Sequence, residues 1–159
     1  MLNLEKIASI TIYTDGAAKG NPGPGGYGVV LKHRKYRKEL SQGYRLTTNN
    51  RMELLAVIVG LEAIKKPGWE VLIYSDSKYV VDAVEKGWVW QWEKKGFKKK
   101  KNVDLWKRFI PLYRKHNIQF KWVKGHAGDP ENERCDYLAV KSIEDGNMLD
   151  DHGYSAENP

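Results

Sequence analysis

The sequence contains little that would cross-link the chain or anchor it in a membrane. A single cysteine, Cys135, among 159 residues excludes an internal disulfide and agrees with a reducing compartment. No apolar run approaches the roughly 18 residues of a membrane span, and residues 1–8 lack the apolar core of a signal peptide. We therefore expect a soluble, cytoplasmic protein. A chain of this length supports one ordinary hydrophobic core, so we expect one domain, with a monomer as the default state.

Acidic residues are outnumbered by basic ones, 20 against 27, which gives a net charge of +7 and favours a polyanionic partner. Six lysines lie between Lys94 and Lys101, directly after Trp88, Trp90 and Trp92. A lysine run is usually a solvated face, and tryptophans usually belong to a core. Their adjacency instead favours a nucleic-acid surface, a basic protrusion over about residues 86–101, because lysines neutralise phosphates and an exposed indole packs on sugar or base. Spacing of two residues puts the three indoles on different sides of a helix.

Periodicity and turn signals predict an α/β fold. Strands are predicted at 11–15, 27–32, 39–46, 70–76 and 118–124, and helices at 47–66, 77–84, 103–113 and 133–143. The first helix is apolar on nearly all sides and begins at the cap residues Thr48 and Asn49, so we expect it to be buried against the sheet. The segment 21–26, "NPGPGG", is predicted as a turn. Residues 1–143 form the predicted domain, and 144–159 a loosely held tail.

Two predicted strands end in similar five-residue motifs, "TIYTD" at Asp15 and "LIYSD" at Asp76. A strand, helix, strand order implies parallel neighbours, which would bring both acids to one edge of the sheet, about 4.8 Å apart. Each aspartate taken singly could merely open a turn or cap a helix. At the carboxyl ends of adjacent parallel strands, where open α/β sheets place their sites, the pair favours function.

Two further acids lie on helix faces that are otherwise apolar. Glu53 is aligned with Val57 and Gly60, and Asp136 with Ala139 and Val140. A first-turn glutamate also serves the helix dipole, so a structural role for Glu53 stays open.

Clustered carboxylates repel one another and cannot all stay ionised without compensation. Oxygen ligands with few His or Cys favour Mg²⁺, or Mn²⁺, over Zn²⁺. Two such ions about 4 Å apart would stabilise the attacking and leaving oxygens of a phosphodiester. The acids therefore predict a nuclease or a phosphoryl-transfer enzyme.

One histidine, His126, lies in the glycine-flanked loop "KGHAGDPENERCD" ahead of the helix that carries Asp136. A loop histidine is most often a surface residue, but an imidazole beside a metal site could relay protons, because its pKa is near neutral. Its residue type alone leaves both roles open.

Five ordered motifs resemble ribonuclease H type 1, in its bacterial ribonuclease HI form: "YTDGAAKGNPGPGGYG", "TTNNRMELLAVIVGLEA", "SDSKYV", "KKNVDLW" and "WVKGHAGDPENERCDYLA". The resemblance runs from about Ile10 to Ala139. It implies an α/β fold with a five-stranded mixed sheet flanked by helices on both faces. It also implies a metal-dependent endonuclease that cuts the RNA strand of RNA/DNA hybrids and leaves 5′-phosphate and 3′-hydroxyl ends. A related polynucleotidyl transferase, of resolvase or integrase type, and a non-catalytic hybrid-binding module are the alternatives.

The resemblance also implies roles for individual residues. Asp15, Glu53, Asp76 and Asp136 match the catalytic acids that hold two metal ions, and His126 matches the catalytic loop histidine. The implied substrate contacts are Asn21, Thr48, Asn49, Asn50, Lys78, Trp88, Trp92, Lys94, Lys95, Lys98, Lys99, Lys100 and Lys101. Lys78 departs from the family, which often has a glutamine there, and Ala18 stands where a cysteine can occur.

Overall fold

The computed structural model describes residues 9–125 and 128–155. The strands are β1 (Ser9–Ala18), β2 (Gly23–His33), β3 (Tyr36–Thr47), β4 (Glu70–Ser75), β5 (Asn117–Trp122) and β6 (Met148–Leu149). The helices are α1 (Asn49–Glu62), α2 (Lys78–Glu85), α3 (Trp88–Lys94), α4 (Val103–Tyr113) and α5 (Pro130–Glu144).

The strands form one mixed sheet in the order β5-β4-β1-β2-β3-β6. The first three strands are an antiparallel meander, and β4 and β5 run parallel to β1. The parallel pairing of β1 with β4 confirms the sequence prediction. The predicted count of five strands is wrong by one. The sixth strand has only two residues, Met148 and Leu149, paired with β3, and a segment that short shows no periodicity.

Helices cover both faces of the sheet, as predicted. On one face Gly60 of α1 lies against Ile12 and Val29, and on the other Gly28 of β2 lies against Leu138 of α5. A β-carbon at Gly28 would come within 2.8 Å of the Leu138 Cβ, so glycine there permits close helix packing. Helix α1 also contacts α4, which explains why it is apolar on nearly all sides.

The glycine-rich segment 21–26 turns over a shorter stretch than predicted. Strand β2 already begins at Gly23, and the Lys19 N–H donates to the Pro24 carbonyl at 2.7 Å. Gly25 and Gly26 pair with both neighbouring strands, and glycine is needed there because β-carbons would collide with Thr47 and Ser142. Glycine composition indicated a turn, whereas tertiary packing uses two of these glycines inside a strand.

A buried arginine joins the C-terminal segment to the domain. The Arg51 side chain is 2% exposed and donates to both Asp104, at 2.7 and 2.8 Å, and Asp151, at 2.7 and 3.0 Å. Together with β6, this ion pair ties residues 148–151 to α1 and β3. The loosely held tail predicted from residue 144 is therefore wrong for these residues, and residues 156–159 lie outside the described ones. Among the described helices, none is both long enough and apolar enough to cross a bilayer.

Candidate active site

Strand register brings Asp15 and Asp76 level with each other at one edge of the sheet. Tyr13 of β1 pairs with Tyr74 of β4, and each aspartate follows its tyrosine by two residues. The two tyrosine rings stack with centroids 4.9 Å apart, and the Thr14 hydroxyl donates to the Tyr74 carbonyl at 2.9 Å. These contacts hold the register of the two strands. Register matters here because a shift by one residue would send every side chain to the opposite face.

Glu53 joins the two aspartates because α1 comes unusually close to β1. The Thr48 hydroxyl caps the helix by accepting from the Arg51 N–H at 3.2 Å, which fixes where the first turn begins. At Gly16, a β-carbon would lie 2.8 Å from the Glu53 Cα and would overlap the backbone beside it, so only glycine allows this approach. Asp15, Glu53 and Asp76 each offer a carboxylate oxygen, and these three atoms all lie within 4.8 Å of one another.

The site carries more negative charge than its surroundings compensate. Burial, followed by the charges of Asp76 and Asp136, raises the pKa of Asp15 to about 8, although the Gly16 N–H donates to its Oδ1 at 2.9 Å. Burial, together with the charges of Asp15 and Asp76, holds the pKa of Glu53 well above its usual range. Within the described part of the chain, the buried oxygens Glu53 Oε1 and Asp76 Oδ1 have no hydrogen-bond partner. Converging carboxylates with unpartnered oxygens suit a hard divalent cation such as Mg²⁺ or Mn²⁺.

Helix α5 brings Asp136 and Asn132 to the same place. Its first turn is capped by Asp129, whose Oδ1 accepts from the Glu131 N–H at 2.8 Å. Asp136 lies outside the group of three and interacts with it through Asp15, by charge and by the hydrogen bond that protonated Asp15 donates. Asn132, one turn earlier, is buried and helps line a cavity of about 10 Å³ between the two strand-end aspartates, a volume that holds about one water.

Asn132 is absent from the sequence-based prediction. Its Oδ1 is buried without a partner among the described residues, as are the carboxylate oxygens beside it. Its spacing of four residues before Asp136, on the same face of a helix, was the available signal.

Several residues predicted to bind substrate surround a second, wider cavity of about 440 Å³. Its lining includes Asn21, Thr48, Asn50 and Lys101, together with Pro22, Asn102 and Tyr154. The Asn21 side chain accepts from the Asn49 N–H at 3.1 Å, which ties the glycine-rich turn to the start of α1. Asn102 and Tyr154 were not predicted. Tyr154 reaches the cavity through the C-terminal segment, whose residues carry no pattern that indicates a tertiary contact.

The predicted basic protrusion is α3 with the lysine segment that follows it. Lys94, Lys95, Lys98, Lys99, Lys100 and Lys101 are all exposed to some degree. Phe97 between them is buried, which anchors the segment to the core. Trp88 is 45% exposed, whereas Trp92 packs edge-on against Trp106 with centroids 5.8 Å apart. The Lys100 ammonium lies 5.1 Å from the centre of the Trp92 ring.

Lys78 follows Asp76 by two residues, at the edge of the sheet that holds the acidic cluster formed by Asp15, Glu53 and Asp76. Its ammonium is 4.2 Å from the centre of the Trp122 ring, and the Trp122 indole N–H donates to the Asp76 carbonyl at 3.1 Å. Trp122, which was not predicted as a site residue, thus joins the end of β5 to this edge. His126 lies outside the described residues.

Comparison with known proteins agrees with this arrangement. The RNase H family model matches residues 7–144. A ribonuclease H of Trichodesmium erythraeum is 55% identical over 155 residues, covering 94% of this chain and 98% of the relative. A ribonuclease H of Desulforamulus reducens is 56% identical over 147 residues, covering 89% and 92%.

Solved structures show the same similarity. LC9-RNase H1, a type 1 RNase H with the type 2 active-site motif, superposes with a TM-score of 0.79 at 31% identity, covering 89% of this chain and 74% of that one. LC11-RNase H1 in complex with RNA/DNA hybrid superposes with a TM-score of 0.62 at 28% identity, covering 86% and 97%. The matched family model, the identity to these relatives and the shared fold together show that this chain belongs to the ribonuclease H family of endonucleases.

Proposed function

We propose that this protein hydrolyses the RNA strand of RNA/DNA hybrids with two divalent ions, Mg²⁺ or Mn²⁺, and leaves 5′-phosphate and 3′-hydroxyl ends. The observation that carries the proposal is the group formed by Asp15, Glu53 and Asp76, with carboxylate oxygens within 4.8 Å of one another. Membership of the ribonuclease H family supports activity on hybrids, and a relative of the same fold binds one.

The four acids would hold the ions, with Asp136 completing the set from α5. Bound ions would supply a nucleophilic water and stabilise charge on the attacking and leaving oxygens of the phosphodiester. The acidic side chains would position the ions and shield them from solvent. Asp15 and Glu53 are 7% and 5% exposed, so their charges act through little intervening water.

Asn132 is a positioning residue in this scheme. Its Oδ1 is buried beside the small cavity that Asp15 and Asp76 also line, where it can accept a hydrogen bond from a water. The proposal also assigns a proton-shuttling role to His126, by resemblance to the family.

Recognition of the hybrid would use the wider cavity and the basic protrusion. Asn21, Thr48, Asn49 and Asn50 are short polar side chains close to the start of α1, and they suit a minor groove in which RNA displays its 2′-hydroxyls. Lys94, Lys95 and Lys98–Lys101, with Trp88 and Trp92, would contact the sugar-phosphate backbone. Lys78 would add a cation near the cleaved strand.

The test is cleavage of end-labelled RNA/DNA hybrid, duplex DNA and duplex RNA, each with Mg²⁺ or with chelator. We expect cleavage of the RNA strand of the hybrid alone, and only with metal. Mass spectrometry of the products reads the end groups directly. Cleavage of duplex DNA, hybrid cleavage that survives chelation, or a 3′-phosphate product would each contradict the proposal.

A matched pair of variants tests the site. Asp15→Asn should abolish cleavage while retaining hybrid binding, because the change removes one charge and leaves the substrate surfaces intact. Asp145→Asn is the control, since Asp145 is exposed and pairs only with Lys141 one turn away among the described residues. Equal activity in the two variants would show that the site is assigned wrongly. A monomeric state and a cytoplasmic location stay predictions, and light scattering on the purified protein would check the first.

A further inference from the structure

Asp76 lies in a connection of only two residues between β4 and α2. Strand β4 ends at Ser75, and Ser77 caps α2 by accepting from the Val80 N–H at 3.2 Å. Within the described part of the chain, the buried Oδ1 atom of Asp76 has no hydrogen-bond partner. The direction of this carboxylate therefore depends on how the backbone at Asp76 is held.

The side chain of Trp122 holds that backbone from the neighbouring strand. Trp122 is the last residue of β5 and pairs with Ser75, the last residue of β4. The Val123 N–H donates to the Ser75 carbonyl at 2.9 Å, and the Trp122 indole N–H donates to the Asp76 carbonyl at 3.1 Å. The indole thus extends the link between the two strands by one residue, as far as the acid proposed to bind metal.

The chain that leaves β5 passes along the Asp76 carboxylate. Val123 lines the small cavity between Asp15 and Asp76, and a β-carbon at Gly125 would lie 3.3 Å from the Asp76 Oδ2 atom. Neither Val123 nor Gly125 has a polar side-chain atom that could orient the carboxylate. Among these neighbours, Trp122 is the one whose side chain bonds to Asp76.

The ring of Trp122 also holds the Lys78 ammonium, which lies 4.2 Å from the ring centre. This is a cation–π distance, and the attraction limits the positions of an otherwise flexible side chain. Lys78 is exposed, and across residues 9–125 and 128–155 it pairs with no carboxylate. Trp122 itself is 39% exposed, so a ligand can reach both side chains. One indole therefore contacts an acid proposed to bind metal and a cation proposed to bind substrate.

We propose that Trp122 is a positioning residue for the reaction assigned above. Its N–H group fixes the backbone of Asp76 and so aims the carboxylate at the metal site. Its ring holds the Lys78 ammonium at the edge of the sheet where a phosphate of the hybrid would bind. The inference rests on the proposed function, because it explains how two parts of that site keep their relative position. A tryptophan that merely covers the end of β5 would affect stability alone.

The two contacts can be separated because they use different parts of the indole. The N–H group lies at the edge of the ring, whereas the cation contacts the face. Trp122→Phe keeps an aromatic face and removes the N–H group, so it tests the contact with Asp76. Trp122→Leu removes both and so tests the contact with Lys78 as well. Because Trp122 is at the surface, both variants should melt within a few degrees of the wild type.

The first measurement is Mg²⁺ affinity without substrate, from the rise in melting temperature as Mg²⁺ is added. Both variants should bind Mg²⁺ at least about threefold more weakly than the wild type. The second measurement is hybrid affinity in chelator, by fluorescence anisotropy of a labelled hybrid. Trp122→Phe should bind hybrid within about twofold of the wild type, whereas Trp122→Leu should bind it at least about threefold more weakly.

A double-mutant cycle tests the link to Lys78. Lys78→Gln should weaken hybrid binding at least about threefold in the wild type but little in Trp122→Leu, where the ammonium is no longer held. The matched control is Trp69→Phe, at the other end of β4. The Trp69 ring meets His33 edge-on, and its indole N–H has no hydrogen-bond partner among the described residues. This control should bind Mg²⁺ and hybrid as the wild type does.

Three results would each overturn the proposal. They are a wild-type Mg²⁺ affinity in Trp122→Phe, an equal loss of hybrid binding from Lys78→Gln in both backgrounds, and the same losses in the Trp69→Phe control. A wild-type protein that cleaves no hybrid would instead contradict the proposed function. The Mg²⁺ affinity of Trp122→Phe would then still decide whether Trp122 positions Asp76.

Discussion

Replacing Asp15 by asparagine should stabilise the metal-free protein. The carboxylate is 7% exposed, and burial together with Asp76 and Asp136 raises its pKa from 3.8 to about 8. Asparagine has nearly the same shape and no charge, so the substitution removes the repulsion and keeps the packing. The residue proposed to bind metal would thus be a source of instability when no metal is present.

The size of the effect follows from the pKa shift. Between the two pKa values the folded state binds more protons than the unfolded state, so stability falls as pH rises, by about 1.4 kcal/mol per pH unit. From pH 4 to pH 7 this amounts to on the order of 4 kcal/mol. Relaxation and water penetration raise the effective dielectric and so reduce this electrostatic cost. We therefore expect Asp15→Asn to increase the free energy of unfolding at pH 7 by about 2 kcal/mol. For a chain of this size that is an increase of about 4–8 °C in melting temperature.

The measurement is thermal unfolding of the wild type and Asp15→Asn in chelator, from pH 4 to pH 8. The gain in melting temperature should be largest near pH 8 and should shrink toward pH 4, where the wild-type carboxyl is protonated when folded and half protonated when unfolded. Mg²⁺ at about ten times its Kd should then stabilise the wild type by about 1.4 kcal/mol and the variant by less. Asp145→Asn, at an exposed site, supplies the baseline.

Two outcomes would refute this reasoning. A melting temperature of Asp15→Asn equal to or below that of the wild type at pH 7 would show that the acidic cluster is not strained by its charges. A gain of the same size at pH 4 and pH 8 would show that the stabilisation arises from packing and not from ionisation.

Three other substitutions test particular contacts. Asp151→Asn should lower the free energy of unfolding at pH 7 by about 2 kcal/mol, measured by chemical denaturation, because it weakens the buried pair with Arg51. Since that pair lowers the pKa of Asp151, the loss of stability should vanish as pH falls below 3.8. The exposed control Asp150→Asn should change stability by less than about 0.5 kcal/mol. Gly16→Ala should lower stability by about 1–3 kcal/mol and abolish cleavage, because its β-carbon would push α1 and Glu53 away from β1; normal cleavage would refute the need for that close approach. Replacing Lys98–Lys101 by alanine should weaken hybrid binding. The slope of log K against log salt concentration should become shallower by up to about 0.9 for each phosphate that the lysines no longer neutralise. An unchanged slope would show that the segment is an ordinary solvated surface.

Residues with local signals were predictable from the sequence. The β1 and β4 strands repeat one pattern, so their parallel pairing and the common edge of Asp15 and Asp76 could be deduced from periodicity and chain order. Glu53 stood out because it is a charge on an apolar helix face, and the structure buries it to 5% exposure. The start of α1 at Thr48 followed from its capping side chain.

Features that depend on tertiary contacts were not predictable. Strand β6 is too short to carry a pattern, and Tyr154 lines a cavity only because β6 and Asp151 hold the chain there. Buried Arg51 carried no signal, because an arginine in the first turn of a helix is ordinarily solvated. The short glycine turn was misjudged for a related reason, since composition cannot separate a glycine that bends the chain from one that admits a helix.

The ion pair between Arg51 and Asp151 has a consequence for how the chain is made. The two residues are 100 positions apart. When α1 emerges during synthesis, the Arg51 guanidinium that the finished fold buries therefore has no Asp151 to pair with. Asp104 arrives first and can hold one side of the arginine, and the second carboxylate closes the network only after residue 151 has been added. Completion of the fold around α1, and with it the setting of Glu53 two residues away, is thereby coupled to synthesis of a segment a hundred residues downstream.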